Sequence, residues 1–170
     1  GVRETIGFLT SELKIEDFFT PNYLFDFFSD LHGVETKERE ERKAKLFSKF
    51  GIDKFAEVKV GDLSQGMKQK LSLVISIVHN PEIIIFDEPT NGLDLVAAKT
   101  VTDFIFEMRE QGKTIVLSTH LFDLVKRVCD RVGIIIGGSM VFQDSLSSLS
   151  AGSDLEDLFF KLYDGTRGQR

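Results

Sequence analysis

The sequence predicts an α/β fold: a partial parallel sheet with helices between its strands, a helical subdomain ahead of them, and a C-terminal hairpin and helix. After Gly61, short continuous apolar runs alternate with longer stretches of helical periodicity, which is typical of strand–helix–strand units. Between Thr20 and Gly61 the pattern is helical throughout. Near the C-terminus, Gly137-Gly138-Ser139 separates two apolar runs and predicts a hairpin turn.

Composition and charge restrict the class of protein. The 170 residues are 42% hydrophobic and 28% charged, which fits one globular domain. The net charge of −6 argues against a protein that neutralises nucleic-acid phosphates. A single cysteine, Cys129, and the lack of an apolar leader favour a reducing, cytoplasmic setting. The longest largely apolar stretch, residues 71–78, is far shorter than the roughly 20 residues that span a bilayer.

The first predicted helix begins at Thr20, whose hydroxyl suits the N-cap, and Pro21 suits the first turn. Helical spacing predicts that one face is buried as an apolar stripe. The stripe comprises Tyr23, Leu24, Phe27, Phe28 and Leu31. A second interpretation stays open, because five phenylalanines fall between residues 18 and 28: some of them line a groove for a helix of another protein.

A charged run predicts the second helix. Residues 35–45 hold four acids and five bases, and apolar Leu46, Phe47 and Phe50 follow. Opposite charges three and four residues apart are typical of a solvated helix, and Gly51 suits its C-cap.

The remaining elements alternate between helix and strand. The apolar run at residues 83–86 is continuous, which predicts a strand buried on both faces of a parallel sheet. Asn80-Pro81 ends the helix before it. The other predicted helices lie at about residues 64–79, 94–110, 122–129 and 155–163, and the other strands at residues 114–118, 132–136 and 140–142.

A small polar turn, Leu63-Ser64-Gln65-Gly66-Met67, opens the helix that follows it. Such a turn presents backbone N–H groups, the positive end of the helix dipole and a serine hydroxyl. Together these groups predict a site for an anion such as phosphate, although a serine N-cap alone is commonplace.

Two adjacent carboxylates, Asp87 and Glu88, end the apolar strand. Ligands of open α/β sheets bind at the carboxyl ends of the strands. Asp87 is suited to hold Mg²⁺, and Glu88 is suited to orient or deprotonate an attacking water. A second strand ends in Ser118-Thr119-His120, where the imidazole of His120 could hydrogen-bond a terminal phosphate.

In this order and spacing, the strings LSQGM, IIIFDEPTNGLD and STH resemble the ATP-binding subunits of ABC transporters, with a short form similar to exporter-type subunits. The likeness extends from about Ile6 to Tyr163. It implies a P-loop NTPase-like fold with ATP and Mg²⁺ as ligands. By this resemblance, the signature motif at residues 63–67 contacts ATP through Ser64, Gln65 and Gly66.

The same resemblance implies the catalytic residues. It makes Asp87 the Walker B aspartate that holds Mg²⁺, Glu88 the catalytic glutamate and His120 the switch histidine. Residues 91–94 are the D-loop, in which Asp94 contacts nucleotide and is also read as the N-cap of the next helix. Ser11 stands where the Q-loop of the family has glutamine, and either Glu12 or Ser11 is expected to replace it.

The P-loop of the family, G-x-x-x-x-G-K-[ST], is absent. The only similar string, Gly112-Lys113-Thr114, has Glu107 where the first glycine belongs and precedes a strand. Because the family's P-loop lies upstream of everything seen here, we expect the chain to be the C-terminal part of a longer ATPase, inactive by itself. The isolated domain is then incomplete.

The resemblance also implies the organisation and partners of the chain. It divides one domain into a Q-loop region at residues 1–19, a helical subdomain at 20–62, an α/β core at 63–145 and a helical tail at 146–170. The implied partners are a transmembrane permease and a second ATP-binding subunit, the same or different, at the cytoplasmic face of the cell membrane, without nucleic acid. Two alternatives remain: a non-catalytic interaction module with a degenerate ABC fold, and an ABC ATPase that does not transport.

Overall fold

The computed structural model describes residues 5–9, 16–149 and 154–167. These residues form two compact units, of which the first ends at Ser118 and the second begins at Thr119. The first unit contains β1 (Ile6–Leu9), α1 (Pro21–Leu31), α2 (Thr36–Phe50), α3 (Gln65–Ser76), β2 (Ile83–Asp87), α4 (Leu95–Glu110) and β3 (Thr114–Ser118), with short 3₁₀ turns at Asp53–Phe55 and Val60–Asp62. The second contains α5 (Phe122–Val128), β4 (Arg131–Ile136), β5 (Ser139–Ser145) and α6 (Leu155–Arg167), with a 3₁₀ turn at Leu146–Ser148.

The first unit is built on a parallel sheet in the order β1-β2-β3. In the central strand, Ile84 lies opposite Gly7 of β1 and Ile115 of β3. A Cβ atom on Gly7 would lie 2.6 Å from the carbonyl oxygen of Ser76, so glycine lets β1 pack closely against the end of α3. The predicted α/β fold is confirmed, and the carboxyl ends of the three strands meet at one edge of the sheet.

Only one face of this sheet is buried by the described residues of the first unit. Ile84 and Phe86 are buried, whereas Ile85 between them is half-buried. The neighbours of Ile85 in the register, Phe8 and Val116, are 54% and 53% exposed. The prediction that the central strand is buried on both faces is therefore wrong, because a continuous apolar run does not by itself specify which layers cover it.

Three helices begin with the predicted caps. Thr20, Ser64 and Asp94 each accept a hydrogen bond, through a side-chain oxygen, from the backbone N–H three residues further on. The donor–acceptor distances are 3.2, 3.3 and 2.8 Å. These side chains satisfy N–H groups that have no partner within their helix, which explains why local sequence located the helix starts.

The buried face of α1 differs from the predicted stripe. Leu24 and Phe25 are 4% and 0% exposed, and the Phe25 ring packs edge-on against Phe47 of α2 with ring centroids 5.5 Å apart. Three members of the predicted stripe are exposed instead: Tyr23, Phe27 and Leu31. The prediction is wrong for these three because the position of α2 decides which face is covered. The exposed rings are compatible with the second interpretation, a surface for another protein.

The charged run of α2 binds α1. Arg39 pairs with Asp30 at 2.7 Å, and Lys43 pairs with Asp26 at 2.7 Å. The Arg39 and Lys43 side chains are only 16% and 12% exposed. The prediction of a helix is therefore confirmed, but this helix is not solvated throughout. Arg39 and Lys43 are half-buried and form ion pairs with α1. The C-cap of α2, Gly51, has the predicted left-handed conformation, with φ of 65°.

In the second unit, β4 and β5 form the predicted antiparallel hairpin. Gly137 and Gly138 have φ of 58° and 81°, and two consecutive residues with positive φ form the turn that matches the twist of a hairpin. The tail helix reaches Arg167, beyond the predicted end near Tyr163. None of the helices in the described part of the chain combines the length and apolar composition needed to cross a membrane.

Candidate nucleotide site

The first turn of α3 presents hydrogen-bond donors. The Ser64 hydroxyl oxygen accepts from the N–H of Met67 at 3.3 Å, which leaves the hydroxyl proton available to donate. The N–H groups of Gln65 and Gly66 lie in the first turn, where no preceding turn of helix supplies carbonyl acceptors. Ser64 and Gln65 are exposed. The turn is therefore suited to bind an anion such as phosphate.

The neighbouring strand fixes the two carboxylates at the end of β2. Ser118 lies opposite Asp87 in the register, and its hydroxyl donates a hydrogen bond to Asp87 Oδ1. The N–H of Glu88 donates to the carbonyl oxygen of Ser118 at 3.0 Å. Glu88 has φ of 48°, a left-handed conformation that is uncommon for residues other than glycine. Strand β3 therefore holds both acids in place as the chain leaves the sheet.

The loop after Glu88 contacts α3. Gln69, which is 8% exposed, donates through Nε2 to the carbonyl oxygen of Pro89 at 3.4 Å. A Cβ atom on Gly66 would lie 3.5 Å from the Leu93 side chain, an ordinary van der Waals distance, so the start of α3 lies directly beside this loop. The structure thus brings the signature turn and the loop at residues 89–94 together within the first unit.

The sequence does not predict a role for two residues of this site, Ser118 and Gln69. The sequence places Ser118 only at the end of a strand, and its bond to Asp87 depends on the strand register, which spacing does not reveal. Gln69 stands between two lysines, and its only signal is helical spacing, which places it on the same face as Leu73 four residues further on.

The other predicted residues are placed differently. Asp94 caps α4 through the N–H of Ala97. His120 belongs to the second unit, is exposed, and directly precedes Leu121, the N-cap residue of α5. Ser11 lies outside the described residues, so its Q-loop role remains a prediction.

The string Gly112-Lys113-Thr114 has the wrong setting for a P-loop. Gly112 lies in the turn after α4 with φ of 83°, and Thr114 begins β3. Lys113 Nζ donates to the carbonyl oxygen of Asn80 at 3.1 Å. A P-loop opens a helix, so these residues do not form one.

The donor set fits a nucleotide with Mg²⁺. Asp87 offers carboxylate oxygens, the ligands that Mg²⁺ prefers, beside a serine hydroxyl at the strand end. Within the described ranges, no group of three or more His, Cys, Asp or Glu side chains could hold a metal ion. Asp87 supplies one carboxylate, and Mg²⁺ usually binds one or two carboxylates and takes its other ligands from phosphate and water.

Comparisons with known proteins identify the family. A sequence profile of the ABC transporter family matches residues 2–91. The ABC transporter ATP-binding protein NatA of Bacillus subtilis is 34% identical over 92% of this chain and 64% of its own length. The Nod factor export ATP-binding protein I of Neorhizobium galegae is 33% identical over 86% of this chain and 42% of its own.

A solved structure titled "Structure of ATP binding subunit of ABC transporter" superposes with a TM-score of 0.88 at 25% identity. The superposition covers 95% of this chain and 69% of that one. The chain spans less than two thirds of the length of the two curated relatives. By profile, sequence and fold, the chain belongs to the ABC transporter family, among its ATP-binding proteins.

Proposed function

We propose that the chain is part of an ABC transporter subunit that hydrolyses ATP and couples hydrolysis to export. The observation that carries this proposal is the Asp87-Glu88 pair, which β3 holds at the carboxyl end of β2. The first turn of α3 supports the proposal independently, because its hydrogen-bond donors are suited to bind the phosphate groups of ATP.

Each predicted catalytic residue has a role in this proposal. Asp87 holds Mg²⁺, which when bound neutralises charge on the phosphate oxygens. Glu88 orients the attacking water and accepts its proton. His120 donates a hydrogen bond to the terminal phosphate. Phosphoryl transfer depends mainly on such positioning and charge stabilisation, so few side chains suffice.

The signature residues act on a nucleotide shared with a second ATP-binding subunit. Ser64, Gln65 and Gly66 donate to its phosphate oxygens, while Asp94 and Ser11 contact the same composite site. The exposed position of Ser64 and Gln65 supports this role, because a turn that serves another subunit must be accessible. The second subunit is either a copy of this protein or a different ATP-binding subunit.

A free-energy comparison predicts that the chain alone does not use ATP. A helix N-terminus contributes about 0.3–2 kcal/mol, and each hydrogen bond to a charged group contributes about 1.5–3 kcal/mol. Association costs an estimated 4–15 kcal/mol. Two or three contacts therefore fall short of the about −8 kcal/mol of micromolar binding.

The names of two relatives support the proposed export direction, and the exposed rings of α1 support the proposed contact with a membrane partner. The relatives include the Nod factor export protein above and the probable multidrug ABC transporter ATP-binding protein YbhF of Escherichia coli, 28% identical over 91% of this chain and 27% of its own length. In our proposal, residues 20–62 form the helical subdomain that contacts a transmembrane permease at the cytoplasmic face. The exposed rings of Tyr23 and Phe27 support such a contact.

The proposal is tested by comparing ATP hydrolysis by residues 1–170 with hydrolysis by the complete gene product. We expect phosphate release in the presence of Mg²⁺ from the complete protein and none above background from residues 1–170, because the chain has no P-loop. Saturable hydrolysis by residues 1–170 would contradict the predicted inactivity. A folded complete protein that binds no ATP would instead support the non-catalytic alternative.

A further inference from the structure

Two histidine rings connect α1 to the start of the sheet. His32 follows α1, and His79 lies in the turn between α3 and β2. Their rings are stacked, with centroids 3.9 Å apart and planes 5° from parallel. Both side chains are half-buried. The stack therefore joins the helical part of the first unit to the turn that precedes β2.

Hydrogen bonding defines the tautomer of His79. Its Nε2 lies 3.2 Å from the carbonyl oxygen of Ile6 in β1. A carbonyl oxygen only accepts, so Nε2 carries the proton and Nδ1 is the bare nitrogen of a neutral ring. Nδ1 is buried and has no hydrogen-bond partner among the described residues. A proton added to Nδ1 would find no acceptor there.

The charged groups around His79 are cations. Arg42 of α2 donates to the carbonyl oxygen of Val78, and Lys113, just before β3, donates to that of Asn80. These two bonds flank His79 on both sides along the chain. Arg42 also pairs with Glu38 on its own helix. His79 itself contacts the His32 ring and the Ile6 carbonyl oxygen.

Burial and the basic side chains around it lower the pKa of His79. Burial lowers the pKa of His79 from its ordinary value of 6.5, and His32, Arg42 and Lys113 lower it further, whereas the bond to Ile6 opposes the shift. Between the lowered pKa and 6.5 the unfolded chain binds more protons than the folded chain. The contribution of His79 to the stability of the fold is therefore fully present above pH 6.5 and decreases as the pH falls from there through the lowered pKa.

We propose that the His32–His79 stack is an acid-sensitive latch that holds the turn after α1 against the amino-terminal edge of the sheet. Acid places a positive charge on the His79 ring, beside Arg42 and Lys113 and against the His32 ring, and this repulsion releases the turn. The latch lies at the opposite edge of the sheet from Asp87 and Glu88. It does not depend on the proposed ATPase activity.

The test is hydrogen exchange of the folded chain, corrected for intrinsic rates, at about pH 7.5 and about pH 5.5, the range in which histidine titrates. We expect the amide protons of residues 30–34 and 78–80 to lose protection at the lower pH. H79Q keeps a neutral N–H donor for Ile6 and should lose most of this acid effect. H120Q, which alters the remaining histidine of the chain, is the matched control and should retain it.

A second measurement needs no variant. The His79 ring proton resonances of the unaltered chain, followed by NMR, should titrate with a midpoint below 6.5. A midpoint at or above that value would overturn the proposal. An acid-dependent loss of protection that is as large in H79Q as in the unaltered chain would overturn it as well.

Discussion

Replacing Glu88 with glutamine is expected to reduce ATP hydrolysis by the complete gene product about 10²–10⁴-fold, the usual contribution of a general base. Glutamine keeps the size of the side chain but cannot accept a proton from water. The Glu88 backbone is held by its bond to Ser118, so the fold and ATP binding should be unchanged. Phosphate release and equilibrium ATP binding, measured on the same preparation, check both halves of this expectation.

Glu82→Gln is the matched control for this substitution. Glu82 is an exposed glutamate just before β2, on the same segment of chain as Glu88 but at its opposite end. This variant should hydrolyse ATP at the unaltered rate. Equal rates for the Glu88 and Glu82 variants would show that Glu88 does not act as the base.

The largest expected effect on stability comes from Phe25→Ala. Phe25 is fully buried and packs edge-on against Phe47, so the substitution leaves a cavity between α1 and α2. We expect the free energy of unfolding to fall by about 3–5 kcal/mol. Urea denaturation followed by circular dichroism measures this change.

Phe27→Ala is the control, since it removes the same side chain two residues away on the same helix. Phe27 is 44% exposed, and its truncation should change the free energy of unfolding by less than about 1 kcal/mol. If both variants lose similar stability, the assignment of the buried face of α1 is wrong.

Sequence located most elements because their ends carry local chemical signals. Thr20 and Asp94 cap helices through bonds to nearby backbone, and Gly51 ends α2 in a left-handed conformation. Such signals involve residues only a few positions apart. They are legible without knowledge of the tertiary structure.

The errors concern contacts between distant segments. The face of α1 that is buried depends on where α2 packs, and apolar spacing could not distinguish Phe25 from Phe27. Likewise, the exposure of Val116 depends on which layers cover the sheet. Tertiary packing decides these cases, and a single sequence does not specify it.

In the candidate site, too, the sequence predicts individual residues, whereas contacts between distant segments require the structure. The order of the motifs predicts Asp87, Glu88 and the turn at Ser64 as candidates, because their chemistry follows from residue type and position in the chain. The bond from Ser118 to Asp87 requires the register of β2 and β3. The bond from Gln69 to Pro89 requires the packing of α3 against the loop.

We propose that the chain supplies signature and Walker B residues to an ATPase whose P-loop lies elsewhere in the same protein. The most direct test is to read the coding sequence upstream of Gly1 in the source gene. We predict a strand, a G-x-x-x-x-G-K-[ST] loop and a helix within about 100 residues, the setting in which a P-loop cradles phosphate. An upstream sequence without that loop would contradict the account and favour the non-catalytic interaction module.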